Sequence, residues 1–235
     1  MPAYTITIVC LANSRKTSGR CVAGKVLDGG KLGEWVRPVS PRLTGEVSEE
    51  ERRYEDGSDP KLLDIIEIPM LKASPDSYQQ ENHVIDTEFH WRRRGRSTWN
   101  DVAAALDQPP SGLWTNGFST VVAGQNDRVP EDLANGLTSS LRLIQPQNLI
   151  IWVGAPGADY GNPRRKVRSM YRYADAQYNI GVTDPVIERQ YFGKANGEYP
   201  VANAILCISL GELHEGYAYK LVAAIITPER VAAGI

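Results

Sequence analysis

The chain has 235 residues, 42% of them hydrophobic and 23% charged, with a formal net charge of −2. That length allows one large domain or two small ones with a proper core, and the apolar content excludes a disordered tail. No apolar run approaches the ~18 residues of a membrane-spanning helix. The three cysteines are scattered and include no Cys-x-x-Cys pair, so neither a disulfide framework nor a zinc site is suggested.

Tyr4 to Ala12 is apolar but short, has no basic region before it and is followed by charge. It is expected to be a first strand, not a signal peptide, which points to a cytoplasmic protein with no membrane partner. Cys21 to Leu27 supplies a second extended stretch, and Trp35 to Val39 a third, with Pro38 marking an edge or strand end. Glu46 to Asp59 is acidic without an apolar stripe, so an exposed loop or a short solvated helix is expected. Leu62 to Met70 and Asn82 to Trp91 return to strand character. Asp101 to Leu106 can form a short helix, stopped by Pro109-Pro110. Residues 92–138 are rich in Gly, Pro, Asn and Asp and are taken as a connecting segment. Strands follow at Ser140–Ile144, Leu149–Val153, Val167–Tyr173, Ala204–Leu210 and Tyr217–Ile226. Asp184-Pro185, a polar cap followed by proline in the first turn, opens a helix reaching about Phe192. Two strand-rich blocks, 1–91 and 139–235, each with one helix or long loop, predict a mainly β protein built from two small Greek-key barrels.

The net charge hides a steep alternation. Residues 1–42 carry +5, 43–90 carry −9, 91–96 carry +4, 97–163 carry −4, 164–173 carry +5 and 174–235 carry −3. A phosphate responds to the local potential within a Debye length of ~8–10 Å, not to the total. Pairing of basic with acidic segments on the surface explains the same pattern.

Catalytic motifs are harder to find. Gly154 to Gly161 follows a strand but lacks the Gly-Lys-Ser/Thr ending of a phosphate loop and reads as a strand-to-strand connection. Asp64 and Glu67 are three apart, so in a regular strand they face opposite sides, and His83, His90 and His214 lack zinc-binding spacing. No metal, no cofactor and no catalytic residue is assigned. Cations and aromatics remain. Asn13, Ser14, Arg15, Lys16 and Arg20 place short donors and cations at a turn, suited to phosphate or a base edge, or simply closing a polar hairpin. Trp35 and Arg37 share a strand face, which permits stacking beside a cation or a core tryptophan with a snorkelling arginine. Arg92, Arg93 and Arg94 form a phosphate-facing arm or a solvated charge run. In Arg164–Tyr173, period two puts Arg165, Tyr171 and Tyr173 on one face and Lys166, Arg168 and Arg172 on the other, with Arg164 preceding the strand.

The tracts Leu11-Ala12-Asn13-Ser14-Arg15-Lys16, Gly19-Arg20-Cys21-Val22-Ala23-Gly24 and Trp35-Val36-Arg37-Pro38-Val39-Ser40 resemble the opening of the bacterial dual OB-containing domain family. Asp64-Ile65-Ile66-Glu67-Ile68-Pro69, Gln80-Glu81-Asn82, Val182-Thr183-Asp184-Pro185 and Ser209-Leu210-Gly211-Glu212 follow in the family's order. The resemblance implies two OB-like barrels in one chain and a nucleic-acid-binding role, with no catalytic residues to carry over. The expected partner is therefore DNA or RNA, as a single strand or a shape, held by the residues named above, with other subunits of a larger assembly as further partners. The acidic 43–90 segment would confine the phosphate path to one side. The alternative is an enzyme or sensor for a small nucleotide-like ligand, using Asn13–Arg20 with Asp64, Glu81, Asp184 or Glu212.

Overall fold

In the computed structural model, which describes residues 2–109 and 112–234, the N-terminal alternation becomes a 13-residue strand, β1 (Tyr4–Lys16). It is followed by β2 (Gly19–Asp28), β3 (Lys31–Val39), β4 (Asp64–Ala73) and β5 (Asn82–Ile85). Strands β1, β2 and β3 form an antiparallel meander. β3 then pairs parallel with β5, β5 antiparallel with β4, and β4 antiparallel with the first half of β1. This circuit is the five-stranded Greek-key barrel of an OB fold. A register slip between Cys10 and Ala12 bends β1, which lets it serve β4 with one half and β2 with the other. Inside lie Ile8, Cys10, Val22, Val36, Ile66, Ile68, Met70, Ile85 and Trp91.

The β3–β4 connection holds α1 (Glu49–Arg52), started by a Ser48–Glu51 capping box. This acidic stretch is not simply solvated. Val47 and Tyr54 are buried in the core cluster, and the buried Arg52 guanidinium donates to Asp59 at 2.6 Å. Residues 92–96 form β6 (Arg92–Arg96), paired with β4. The next helix, α2 (Trp99–Ala104), begins two residues before the expected start because Thr98 and Asp101 make a second capping box.

The chain divides into two compact units, one reaching Leu106 and taking back the stretch from Pro228, the other Asp107–Thr227. The second contains β7 (Arg128–Pro130), α3 (Glu131–Ala134), β8 (Leu141–Ile144), β9 (Gln147–Gly154), β10 (Lys166–Tyr173), β11 (Ala176–Val182), α4 (Pro185–Phe192), β12 (Gly197–Pro200), β13 (Ile205–His214) and β14 (Tyr217–Ile226). α5 (Pro228–Ala233) belongs to the first unit. β9, β10 and β11 are an antiparallel meander, β11 pairs parallel with β14, β14 antiparallel with β13, and β13 with β8. β8 and β9 are thus two halves of one first strand, interrupted at Gln145-Pro146, where proline offers no N–H to a ladder. With that split, the circuit repeats that of the first barrel, and the chain carries two OB-like barrels. Helix α4 occupies the predicted span. The Asp184 carboxylate accepts from the N–H groups of Val186, Ile187 and, on β14, Ile225.

β11 and β14 pair over just Gly181/Leu221 and Val182/Val222. Beyond that, residues 125–130 fill the opening. Gln125 and Asn179 exchange backbone hydrogen bonds, the Lys220 N–H donates to Asp127 O at 2.8 Å, and β7 pairs with β14. The stretch 92–138, expected to be an irregular connector, therefore supplies a strand to each sheet.

Candidate functional site

In the first barrel the predicted donors are largely engaged at home. The β1–β2 turn works as a clasp. Asn13 Nδ2 donates to Pro60 O at 2.8 Å, the buried Ser14 hydroxyl to Cys21 O, and Lys16 Nζ to Thr44 O at 2.8 Å. Arg20 exchanges backbone hydrogen bonds with Val47, and Arg15 stands exposed. Arg37 is buried and faces Glu81 at 3.4 Å and Asn82 Oδ1 at 3.4 Å. It does not point into solvent beside Trp35 as a strand-binding cation would. Trp35 is half-buried, with Lys25 Nζ 5.3 Å from its ring centre and also donating to Ala105 O just past α2. Arg92, Arg93 and Arg94 are half-exposed and matched by acids. Arg94 makes a two-pronged contact with Glu67 at 2.7–2.9 Å, Arg93 meets Asp64 at 3.2 Å, and Arg92 lies 3.6 Å from Glu55. They border a cleft of about 410 Å³ that also presents Glu55 and Asp56, which weakens its hold on an anion. Asp64 itself is 1% exposed and accepts the Tyr54 hydroxyl at 3.0 Å. Glu81 and Asp184 are likewise committed locally.

The second barrel redistributes the 164–173 tract. Arg165 donates to Phe192 O and Lys194 O and to Asn196 Oδ1, tying the β9–β10 loop to the C-terminal carbonyls of α4. Arg168 is buried, not exposed. It spans β11 to reach Asn179 Oδ1 at 2.7 Å and Asp127 at 3.2 Å, and burial pulls its pKa down against the opposing pull of Asp127. Tyr171 lies in the core, stacked on Tyr178 with ring centres 5.3 Å apart. Its buried hydroxyl, without a hydrogen-bond partner among the described residues, has its pKa driven up by desolvation. It cannot be a platform for a base. Tyr173 is half-buried, its hydroxyl 3.4 Å from Asp107 O. Arg164, Lys166 and Arg172 remain exposed.

A feature the tract alone does not reveal is the outward face of β9–β10–β11. Ladder partners bring Trp152 beside Arg168, Ile150 beside Met170, and Gln147 beside Arg172, with Asn179 across from Met170 on β11. Ile150, Trp152 and Met170 are half-buried between the inward-facing Leu149, Ile151 and Val153 and solvent. The Trp152 indole reaches along its own strand over Gly154. A Cβ on Gly154 would come within 2.4 Å of the ring, so glycine there leaves the ring the room it occupies. Lys166 and Arg172 stand at the two ends of this face, six residue steps apart on β10, about 20 Å at the rise of a strand. The β9–β10 loop adds Tyr160, 75% exposed, and Arg164. The face is built mainly on the first and second strands of the barrel, next to the strand-two and strand-three surface and the loop between strands one and two through which OB folds take oligomeric ligands.

Beside it runs a buried polar network. Lys220 is 1% exposed, points inward with Ala218 and Val222, and donates to Thr115 O at 2.8 Å and Asn116 Oδ1 at 3.3 Å. Desolvation brings its pKa down from 10.5 to about 7, with Asp127 pulling the other way. Asp127 accepts from Thr120 N and Thr120 Oγ1, both at 2.8 Å, and from Arg168. The network fixes residues 112–130 against the barrel and holds Arg168 beside Trp152.

A sequence model of the Dual OB-containing domain matches residues 6–225, nearly the whole chain. No curated protein and no solved structure matches it.

Proposed function

Since the chain belongs to the dual OB-containing domain family, we propose that it is a nucleic-acid-binding module that grips a single strand on the outer face of its second barrel. The observation that carries this reading is the half-buried Trp152 on β9, its ring held against Gly154, on a face shared with Met170 and Ile150 and with Lys166 and Arg172 exposed at either end. Base–aromatic stacking on Trp152 and Tyr160 tolerates any base, because every base has a π-face. Lys166, Arg172 and Arg164 meet phosphates, which contributes affinity without reading sequence. No step here needs a catalytic group. Glu198, opposite Trp152 on the edge strand β12, repels phosphate and bounds the path on that side. DNA or RNA can occupy such a face, and the strand would be bound cooperatively with other subunits if the module sits in a larger assembly.

The reading as an enzyme or sensor with a pocket at Asn13–Arg20 has less support, since Asn13, Ser14 and Lys16 spend their donors on Pro60, Cys21 and Thr44. A competition titration of single-stranded DNA, duplex DNA and RNA at two salt concentrations tests the proposal. Single strands should win, with an affinity that falls steeply with salt. Absence of binding to every one of them at low salt refutes it.

A further inference from the structure

At the elbow between β8 and β9, where the first strand of the second barrel breaks, a cleft of about 500 Å³ opens between Gln145–Ile150 and Pro200–Ala204. Its lining has no ionisable side chain: the floor is the buried Leu149 and Ala204 with the half-buried Ile150 and Val201, and the rim carries the amides of Gln145, Asn148 and Asn203. All three amide residues are exposed, and their side chains make no hydrogen bond within the chain among the described residues. Asn148 and Asn203 both hold left-handed backbone, φ 53° and 48°, a conformation asparagine tolerates better than most residues.

Four observations point to one kind of occupant. The lining is uncharged, so the part of a ligand that enters is neutral. The floor is aliphatic, and the rim offers paired donors and acceptors, which suits a heterocycle with hydrogen-bonding edges. Ile150 belongs both to this floor and to the outer face, beside Met170. Arg172, opposite Gln147, stands next in register to the cleft's rim, where it can hold the phosphate of whatever enters. We infer that the cleft takes one unstacked nucleobase of the strand bound on the β9–β10 face, and so gives an otherwise backbone-binding module its base preference. The inference rests on the strand-binding reading for the identity of the ligand. The amides would sense the base edge while Arg172 senses only its phosphate.

The experiment separates the two claims by splitting the ligand. Free nucleosides (adenosine, cytidine, uridine) carry a base and no phosphate, and a twelve-residue abasic oligodeoxynucleotide carries phosphates and no base. In a ¹⁵N-edited NMR titration of the full chain, nucleosides should shift the side-chain amide signals of Gln145, Asn148 and Asn203, and the abasic oligomer should shift Lys166 and Arg172. Ala202→Trp, which fills the cleft from an exposed position, should abolish the nucleoside response and leave the abasic one. N148G/N203G keeps the positive-φ backbone and should cost at least threefold in affinity for a base-bearing dodecamer and nothing for the abasic one. Nucleosides that shift none of the three amides, while the abasic oligomer binds, overturn the cleft and spare the strand face. Nucleosides that bind while no oligomer does overturn the strand reading, and silence to both overturns each.

Discussion

Replacing Lys220 by methionine should change how stability depends on pH more than it changes stability itself. The ammonium is enclosed in the second barrel, its pKa lowered from 10.5 to about 7 chiefly by desolvation. Below pH 7 both folded and unfolded chains hold the proton, and the fold bears the full cost of a buried charge. Between pH 7 and 10.5 the unfolded chain binds more protons than the folded one, so stability rises with pH through that window. At 1.36 kcal/mol per unit, a difference of that size sets a ceiling of about 4–5 kcal/mol. Methionine has no proton to lose, and it leaves Thr115 O and Asn116 Oδ1 without their donor at a cost of about 1–3 kcal/mol. K220M should therefore match or exceed the wild type near pH 6 and fall behind it by several kcal/mol near pH 10. Urea unfolding of both chains at each pH, followed by far-ultraviolet circular dichroism, reads the difference, and ionisations elsewhere cancel in it. Parallel pH profiles for the two chains between pH 7 and 10 would refute the reasoning.

Asp127→Ala should destabilise the chain by about 3–5 kcal/mol in denaturant unfolding, because it strands the buried Arg168 guanidinium and removes the acceptor of Thr120. Trp152→Ala should weaken single-strand binding by about 1–3 kcal/mol, the range for one stacked base, with unfolding unchanged to within about 1 kcal/mol. Gly154→Ala should lower affinity in the same direction by lifting the indole off its strand, and the tryptophan emission should shift with it. Neutralising Lys166 or Arg172 to glutamine should each reduce the salt slope of binding by about 1, whereas Arg94→Gln, whose charge already faces Glu67 at 2.7 Å, should leave that slope unchanged.

The barrels were legible because their strands alternate strongly and because Asp184-Pro185 marks a helix start unambiguously. What the chain does not display locally is pairing. β12 and β7 are short and weakly patterned, and β6 reads as a charge run, Arg92–Arg94, until β4 is seen beside it. The cationic tract fared differently at each residue for one reason. Period two assigns a face but not what covers it, and Arg168 is covered by Asp127, forty-one positions away. Tyr171 fell inward on the same logic, against Tyr178. Trp152 was findable in principle, since Ile150 and Trp152 alternate with Leu149, Ile151 and Val153. Its value lies in the neighbours that β10 supplies, and those come from topology.

The most direct test of the strand face is photo-crosslinking of the full chain to a bromodeoxyuridine-substituted single-stranded oligonucleotide, with the linked peptides mapped by mass spectrometry. Crosslinks should concentrate in Gln147–Gly154, the 155–165 loop and Lys166–Tyr173, and should drop sharply in Trp152→Ala. Crosslinks confined to Asn13–Arg20 or Arg92–Arg96, with the second barrel unlabelled, would contradict the account.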